Sequence, residues 1–324
     1  MPHWNDTMDI QEFDDLRRAL PSGRTLYTYY KDRYSLQLLR YAVRTPTPFS
    51  RLRQHPVARL LEKPRVKQMI ARCGQRLTPA DIENHDGDPQ AQVYHLSVGC
   101  WDAAPREQEQ MSRRGVNLVL QLNFSQEHCR TARHLLGIDG DTDPFNGRAH
   151  PVLKDARPDR RYTLAWSRVD IDLGAREALI EEIQSDWVRD VQWIRTWAER
   201  RGGLPKCVQK RRGINASADN IVKYDEIALA PHRSQWAEAM LSATLFFLRE
   251  ELGVERIWMH TPTSSEHFKR MHNRSQPPRS LYTDLPRRFC FEPTSSLPGF
   301  VAEDRKLQRV IRRRPAAALQ TLNF

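Results

Sequence analysis

The segment Leu179 to Trp187, LIEEIQSDW, sets three carboxylates and an amide among residues of strand-forming type. Alternate residues of a strand face opposite ways. The spacing therefore predicts Ile180, Glu182, Gln184 and Asp186 on one face, with Leu179, Glu181, Ile183, Ser185 and Trp187 on the other. A row of two carboxylates and an amide on a rigid element can hold a cation or an amine, or serve as general base and substrate-positioning groups. The same row has a structural reading. A hairpin centred on Ala175 sets Arg168 opposite Glu182 and Trp166 opposite Gln184, an ordinary cross-strand pairing. Glu181, on the more apolar side, then needs a partner of its own, because an unpaired buried carboxylate is costly.

Other chemistries find less in the chain. His260, His267 and His272 are spaced by seven and five, unlike the i, i+4 pair of a zinc helix, and no metal is expected. DGDTDPF opens like a calcium loop, but Pro144 stands where glycine is needed and His150 where a bidentate Glu is needed. There is no Walker loop and no GxSxG, so nucleotide hydrolysis is disfavoured. The five cysteines, Cys73, Cys100, Cys129, Cys207 and Cys290, are scattered without a CxxC pair and read as free thiols.

Charge is unevenly placed. The chain of 324 residues carries a formal +11, and Arg24 to Arg76 alone holds thirteen Arg and Lys against Asp32 and Glu62. Arg24, Lys31, Arg33, Arg40, Arg44, Arg51, Arg53, Lys63, Arg65 and Lys67 are accordingly candidate phosphate contacts. Tyr27, Tyr29, Tyr30, Tyr34 and Tyr41 are interleaved with them as candidate stacking partners for bases. An aromatic core beneath a solvated basic face reads equally well. A second basic run, RKLQRVIRRR, begins at Arg305. No stretch has the length and apolarity of a membrane span, and the polar, acidic start MPHWNDTMDIQEFDD predicts an unsecreted, cytoplasmic protein without a membrane partner.

The elements that must position these residues emerge from periodicity. RTLYTYYKDRYSLQLLRYAV has apolar residues at helical spacing, and Pro48, Pro56 and Pro64 each mark a helix start. LTPADIENHDGDPQ then breaks the pattern near residue 90. Beyond it, VYHLSVGCW and VNLVLQLNF read as strands, and SQEHCRTARHLLG reads as a helix capped by Ser125 and ended at Gly137. RYTLAWSRVDID and EALIEEIQSDW form a hairpin, and the amphipathic helix VRDVQWIRTWAERRGG comes next. IALAP, ERIWMHT and RRFCFEPT read as strands. SQWAEAMLSATLFFLREELG between the first two is the strongest helix in the chain. The fold class is α+β: a basic helical N-terminal region (1–90), a mixed β-sheet domain (91–300) and a basic tail (301–324) that is mobile or a lone helix.

LIEEIQSDW and PHRSQWAEAMLSATLFFLREELGVERIWMHT together resemble a domain of phage- and mobile-element-encoded polyvalent proteins, over roughly residues 150 to 292. The order strand, loop, long helix, strand, short helix, strand from IALAP to FCFEPT also resembles the acyl-CoA-binding half of a GNAT-type acetyltransferase. That resemblance implies that Pro231 to Trp236, with His232, Arg233, Ser234 and Trp236, offers backbone N–H groups to a cofactor pyrophosphate. Trp236 and Ala237 stand where that family has Gly-x-Gly/Ala, and an indole obstructs the close backbone approach that glycine permits. The expected function is a transferase-like enzyme of mobile-element origin, acylating an amine on nucleic acid or protein, with Glu182, Gln184 and Asp186 as base and positioning groups. The alternative is a non-catalytic nucleic-acid-binding or host-interaction protein that uses the N-terminal basic helices.

Overall fold

A computed structural model describes residues 8–19, 26–101, 111–140, 142–145, 150, 161–269, 278–313 and 318–323. The strands are β1 (Leu26–Tyr29), β2 (Thr47–Pro48), β3 (Arg76–Leu77), β4 (Gln92–Trp101) and β5 (Asn117–Asn123). They continue with β6 (Thr163–Asp172), β7 (Glu177–Gln184), β8 (Arg256–His260), β9 (Glu292–Thr294) and β10 (Leu319–Asn323). Eight of them form one mixed sheet in the order β1-β4-β5-β6-β7-β8-β10-β9, while β2 and β3 pair separately. All neighbours in the large sheet are antiparallel except β7 and β8. A parallel neighbour requires a crossover. Here it is the helical stretch from Asp186–Arg201 to Trp236–Phe246.

The sheet crosses both expected boundaries. From the N-terminal region β1 adds an edge strand against β4, and from the tail β10 inserts between β8 and β9. The tail therefore holds a helix, Arg305–Arg313, and a strand. Three expectations of secondary structure are corrected. RTLYTYYKDRYSLQLLRYAV is not one continuous helix, because Leu26–Tyr29 is extended and Arg33–Ala42 alone is helical, after Asp32 in a left-handed conformation. IALAP is helical, continuing Tyr224–Ala228 into Ala230–Arg233, with Leu229 buried and Ile227 65% exposed. RRFCFEPT is a strand only over Glu292–Thr294, because Asp284–Arg288 is helical. The other long elements form as read, with Ser125 Oγ accepting from the His128 amide at 3.1 Å and Gly137 at φ 58° closing that helix. A side chain at Gly137 would collide with the Asn215 carbonyl.

One layer of the core lies between the sheet and the helices. Leu118, Leu120 and Leu122 of β5, Ala178, Ile180 and Ile183 of β7, and Ile257 and Met259 of β8 meet Met240, Leu241, Ala243 and Leu245 there. On the other face, Leu179, Trp258 and Leu319 meet Phe268, Phe300, Val301 and Leu307 of the C-terminal helices. Trp101 and Trp166 pack with Val119 and Met111 farther along that face.

The β6–β7 hairpin has the expected register, Trp166 opposite Gln184 and Arg168 opposite Glu182, but Val169 then pairs with Ile180. Glu181 is thus the extra residue of a β-bulge. A bulge breaks the two-residue alternation. Glu177 and Leu179 share the second face with Glu181, and Glu182 and Gln184 join them there, while Ile183 lies with Ile180 in the helix-covered layer. The predicted separation of Glu181 from Glu182 is corrected accordingly.

Candidate functional site

At the end of β7, Ser185 caps the helix Asp186–Arg201 by accepting from the Val188 amide. Asp186, at the first helical position, turns its carboxylate back toward the sheet. Oδ2 accepts from His150 Nδ1 at 2.8 Å and from Trp166 Nε1 at 3.1 Å. Oδ1 accepts from Gln184 Nε2 and from Arg189 Nη2, each at 2.6 Å. Burial opposes the ionisation of Asp186, but His150, Arg189 and the Trp166 hydrogen bond outweigh it and hold the carboxyl below its ordinary value. A saturated, ionised carboxylate of this kind orients its partners and has no lone pair left to take a substrate proton.

The partner so oriented is His150. Its ring lies 4.8 Å from the Trp166 ring and 5.6 Å from the Trp101 ring, and the residue is 7% exposed. With Nδ1–H donated to Asp186, Nε2 is the basic nitrogen. That atom forms no hydrogen bond with a described residue. A base oriented by a carboxylate is the geometry of general-base catalysis.

Glu182 takes the cross-strand place opposite Arg168 that the hairpin predicted. It accepts from Arg168 Nη2 at 2.9 Å, with Lys269 Nζ 3.9 Å away, and all three side chains are buried. The Lys269 ammonium also donates to the Glu181 carbonyl at 2.7 Å, so it ties down the bulge where β7 parts from β8. Glu181 accepts from Ser112 Oγ at 3.0 Å and from His260 Nε2 at 3.1 Å, while His260 Nδ1 lies 3.0 Å from Ser264 Oγ. Burial works against a charge on Glu181, yet the His260 hydrogen bond and the nearby Lys269 and Arg168 charges bring it down to about 2. Burial also lowers His260, which is neutral at pH 7 and donates to the ionised Glu181. Beside this group Arg113 holds Asp170 through two bonds of 2.6 and 3.0 Å, and burial still pushes Asp170 up to about 6. These groups form a closed, buried electrostatic layer.

The segment expected to hold a pyrophosphate lies on the opposite face of the sheet. His232 is buried, with Nδ1 2.9 Å from Tyr94 Oη, and packs edge-on against Phe124 and His128. Arg233 pairs with the buried Asp225, Ser234 Oγ donates to Pro231 O, and Trp236 rests against the core. The amides of Arg233, Ser234 and Gln235 donate to Leu229, Ala230 and His232 carbonyls, so these groups do not fit the acyl-CoA role. Glu182, Gln184 and Asp186 therefore do not meet His232 to Trp236 in one cleft.

The N-terminal cations divide. Arg33 forks onto Asp86 and caps Thr28 O, Lys63 pairs with Asp32, Arg65 binds Asp88 and Gly87 O, Lys67 pairs with Glu62, and Arg40 lies 3.6 Å from Glu250. Lys31, Arg44, Arg51 and Arg53 are exposed without a salt bridge among the described residues. Arg24 lies outside the described residues. The five tyrosines are all buried, which removes them as stacking platforms for bases. A pocket of about 210 Å³ at the β1 edge is lined by Tyr27, Arg33, Gln37, Arg40, Asp86 and Phe246 among others.

No group of three or more His, Cys, Asp or Glu residues suited to a metal ion occurs among the described residues. None of their helices is long and apolar enough to cross a membrane. The cysteines are free thiols. No family model, no curated protein and no solved structure matches the chain. His150 was not singled out as a candidate base from the sequence, where its only signal was the polar strand exit awaiting a partner. Lys269, Ser112 and Arg113 were missed as well, and no local pattern marks them.

Proposed function

We propose that the chain is a transferase-like enzyme of mobile-element origin, built on a GNAT-like sheet, in which His150 is the general base for acyl transfer to an amine. The observation that carries this reading is the His150–Asp186 pair, an imidazole fixed at Nδ1 by a carboxylate so that Nε2 is left as its basic nitrogen. As the acceptor nitrogen attacks the acyl carbon of an activated donor, the C–N bond forms and Nε2 takes the proton that the amine loses. The bond to the leaving group then breaks, and the leaving group departs with the electron pair. Asp186 holds the tautomer and stabilises the imidazolium. Gln184 and Arg189 are positioning residues that act through Asp186.

The scaffold reading is supported by the order β7, long helix, parallel β8, short helix Pro262–Phe268 and closing strands, with β7 in the opening place expected for IALAP. The origin is supported by the resemblance of LIEEIQSDW to the polyvalent-protein motif. Glu182 drops out as a base, because a carboxylate buried against Arg168 and Lys269 is not available to a substrate. The donor, acyl-CoA included, is held elsewhere than at His232 to Trp236. A non-catalytic nucleic-acid-binding or host-interaction protein is the second reading, favoured by the exposed Lys31, Arg44, Arg51 and Arg53.

The reading is tested with p-nitrophenyl acetate as donor and a primary amine as acceptor, monitoring nitrophenolate release and amide formation. His150→Ala is expected to lower the enzymatic rate by about a hundredfold or more, the usual contribution of a positioned base, with the circular dichroism unchanged. Equal rates for the variant and the parent protein overturn it.

A further inference from the structure

The helix Arg305–Arg313 lies on the same side of the sheet as Trp166, Glu182 and the His150–Asp186 pair. Its Leu307 is fully buried in the cluster with Leu179, Trp258 and Leu319, and Val310 and Ile311 pack against that cluster. At 3.6 residues per turn, Arg305, Arg309, Arg312 and Arg313 fall within an arc of about 100° opposite this apolar seam, and all four are exposed. None forms a salt bridge with a described residue. Asp304 Oδ1 caps the helix by accepting from the Lys306 and Leu307 amides, each at 2.8 Å. The stripe is about 12 Å long, at 1.5 Å per residue.

We infer that this stripe binds the phosphate backbone of a nucleic acid and that the acceptor amine is carried by a nucleic acid. Four guanidiniums fixed on one face of an anchored helix match a run of phosphates, each a planar, bidentate recognition. An anionic membrane surface fits less well, since a membrane-bound amphipathic helix inserts its apolar face, and here that face is sealed into the core. The N-terminal basic region is mixed: Arg33, Lys63, Arg65 and Lys67 are committed to acids, Lys31, Arg44, Arg51 and Arg53 are exposed, and helix Arg33–Ala42 packs against Trp236–Phe246, on the helix-covered side of the sheet. The phosphate contact stands by itself; its purpose as a substrate grip rests on the proposed role of His150.

The test measures binding of the full chain to fluorescein-labelled 20-mers of duplex DNA and single-stranded RNA between 50 and 200 mM salt. The comparison includes Arg305→Gln/Arg309→Gln/Arg312→Gln/Arg313→Gln, Arg51→Gln/Arg53→Gln and His150→Ala. Each phosphate contact contributes a salt slope of about −0.9 on duplex DNA. The quadruple variant should therefore lose about 3 to 4 from the slope, about a hundredfold of the parent's change over that range. The Arg51/Arg53 double variant should lose at most about half as much. A circular-dichroism melt and the intermediate double variant Arg309→Gln/Arg312→Gln, expected to lose about half the slope, exclude misfolding as the cause. The inference is overturned if the quadruple variant keeps the parental affinity and slope, or if the parent binds phosphatidylserine vesicles and neither nucleic acid. Full transfer activity in His150→Ala, together with lost binding in the quadruple variant, sinks the catalytic reading and leaves the phosphate contact standing.

Discussion

His128 and His232 sit side by side at 4.6 Å between ring centroids, under Phe124 and next to the hydroxyls of Tyr224 and Tyr94. Burial pushes His128 down to about 2, with help from His232, and His232 down to about 4. Unfolding returns both to their ordinary value of 6.5, so below that pH the unfolded chain binds more protons and stability falls as pH falls. The loss begins near 6.5 and continues to about 4 for His232 and further for His128. Between pH 7 and pH 5 it amounts to about 2 kcal/mol per histidine. Urea denaturation at the two pH values should show it, and His128→Gln/His232→Gln should flatten the dependence; an unchanged dependence in that variant contradicts the assignment. The burial that keeps both histidines neutral also removes His232 from the expected pyrophosphate loop.

At the scale of elements, the β7 bulge decides the character of the central strand. By setting Glu181 beside Glu182 it puts two acids on one buried face, where Arg168, Lys269 and neutral His260 hold them. Glu182→Gln removes the carboxylate that Arg168 and Lys269 face, and breaking such a buried pair costs about 3 to 5 kcal/mol. Arg168→Met combined with Glu182→Leu should recover much of that loss in thermal or urea melts. If Glu182→Gln melts like the parent, the pair does not anchor the strand. The hairpin register was legible, because Arg168 with Glu182 and Trp166 with Gln184 come from the turn alone. The faces were not, because nothing in EEIQ announces one extra residue in the ladder. IALAP misled for a related reason: a short apolar run fits a buried strand or a buried helix equally well.

Across the whole molecule, one sheet draws its edge strand from the N-terminal region and its penultimate strand from the tail, which no local pattern in either segment announces. The α+β class was legible from the change of periodicity after residue 90, whereas the pairing of Leu26–Tyr29 and Leu319–Asn323 with strands far away in sequence was not. Charge placement was half legible. In the N-terminal run Arg33, Lys63, Lys67 and Arg65 are spent on Asp86, Asp32, Glu62 and Asp88 while Lys31, Arg44, Arg51 and Arg53 stay exposed, and the shorter C-terminal run presents its guanidiniums to solvent. The sheet thus separates a layer of neutral histidines from a layer of ionised groups, and His150 stands at the end of the second, with its orienting carboxylate on β7's outgoing helix. The decisive measurement is chemical rescue: imidazole added to His150→Ala in the nitrophenyl acetate assay. The rate lost in that variant should return in proportion to imidazole, while Asp186→Asn, whose base is present but unoriented, should gain nothing from it. A His150→Ala protein that transfers acetyl at the parental rate, or whose lost rate imidazole leaves unchanged, contradicts the assignment of His150 as the base.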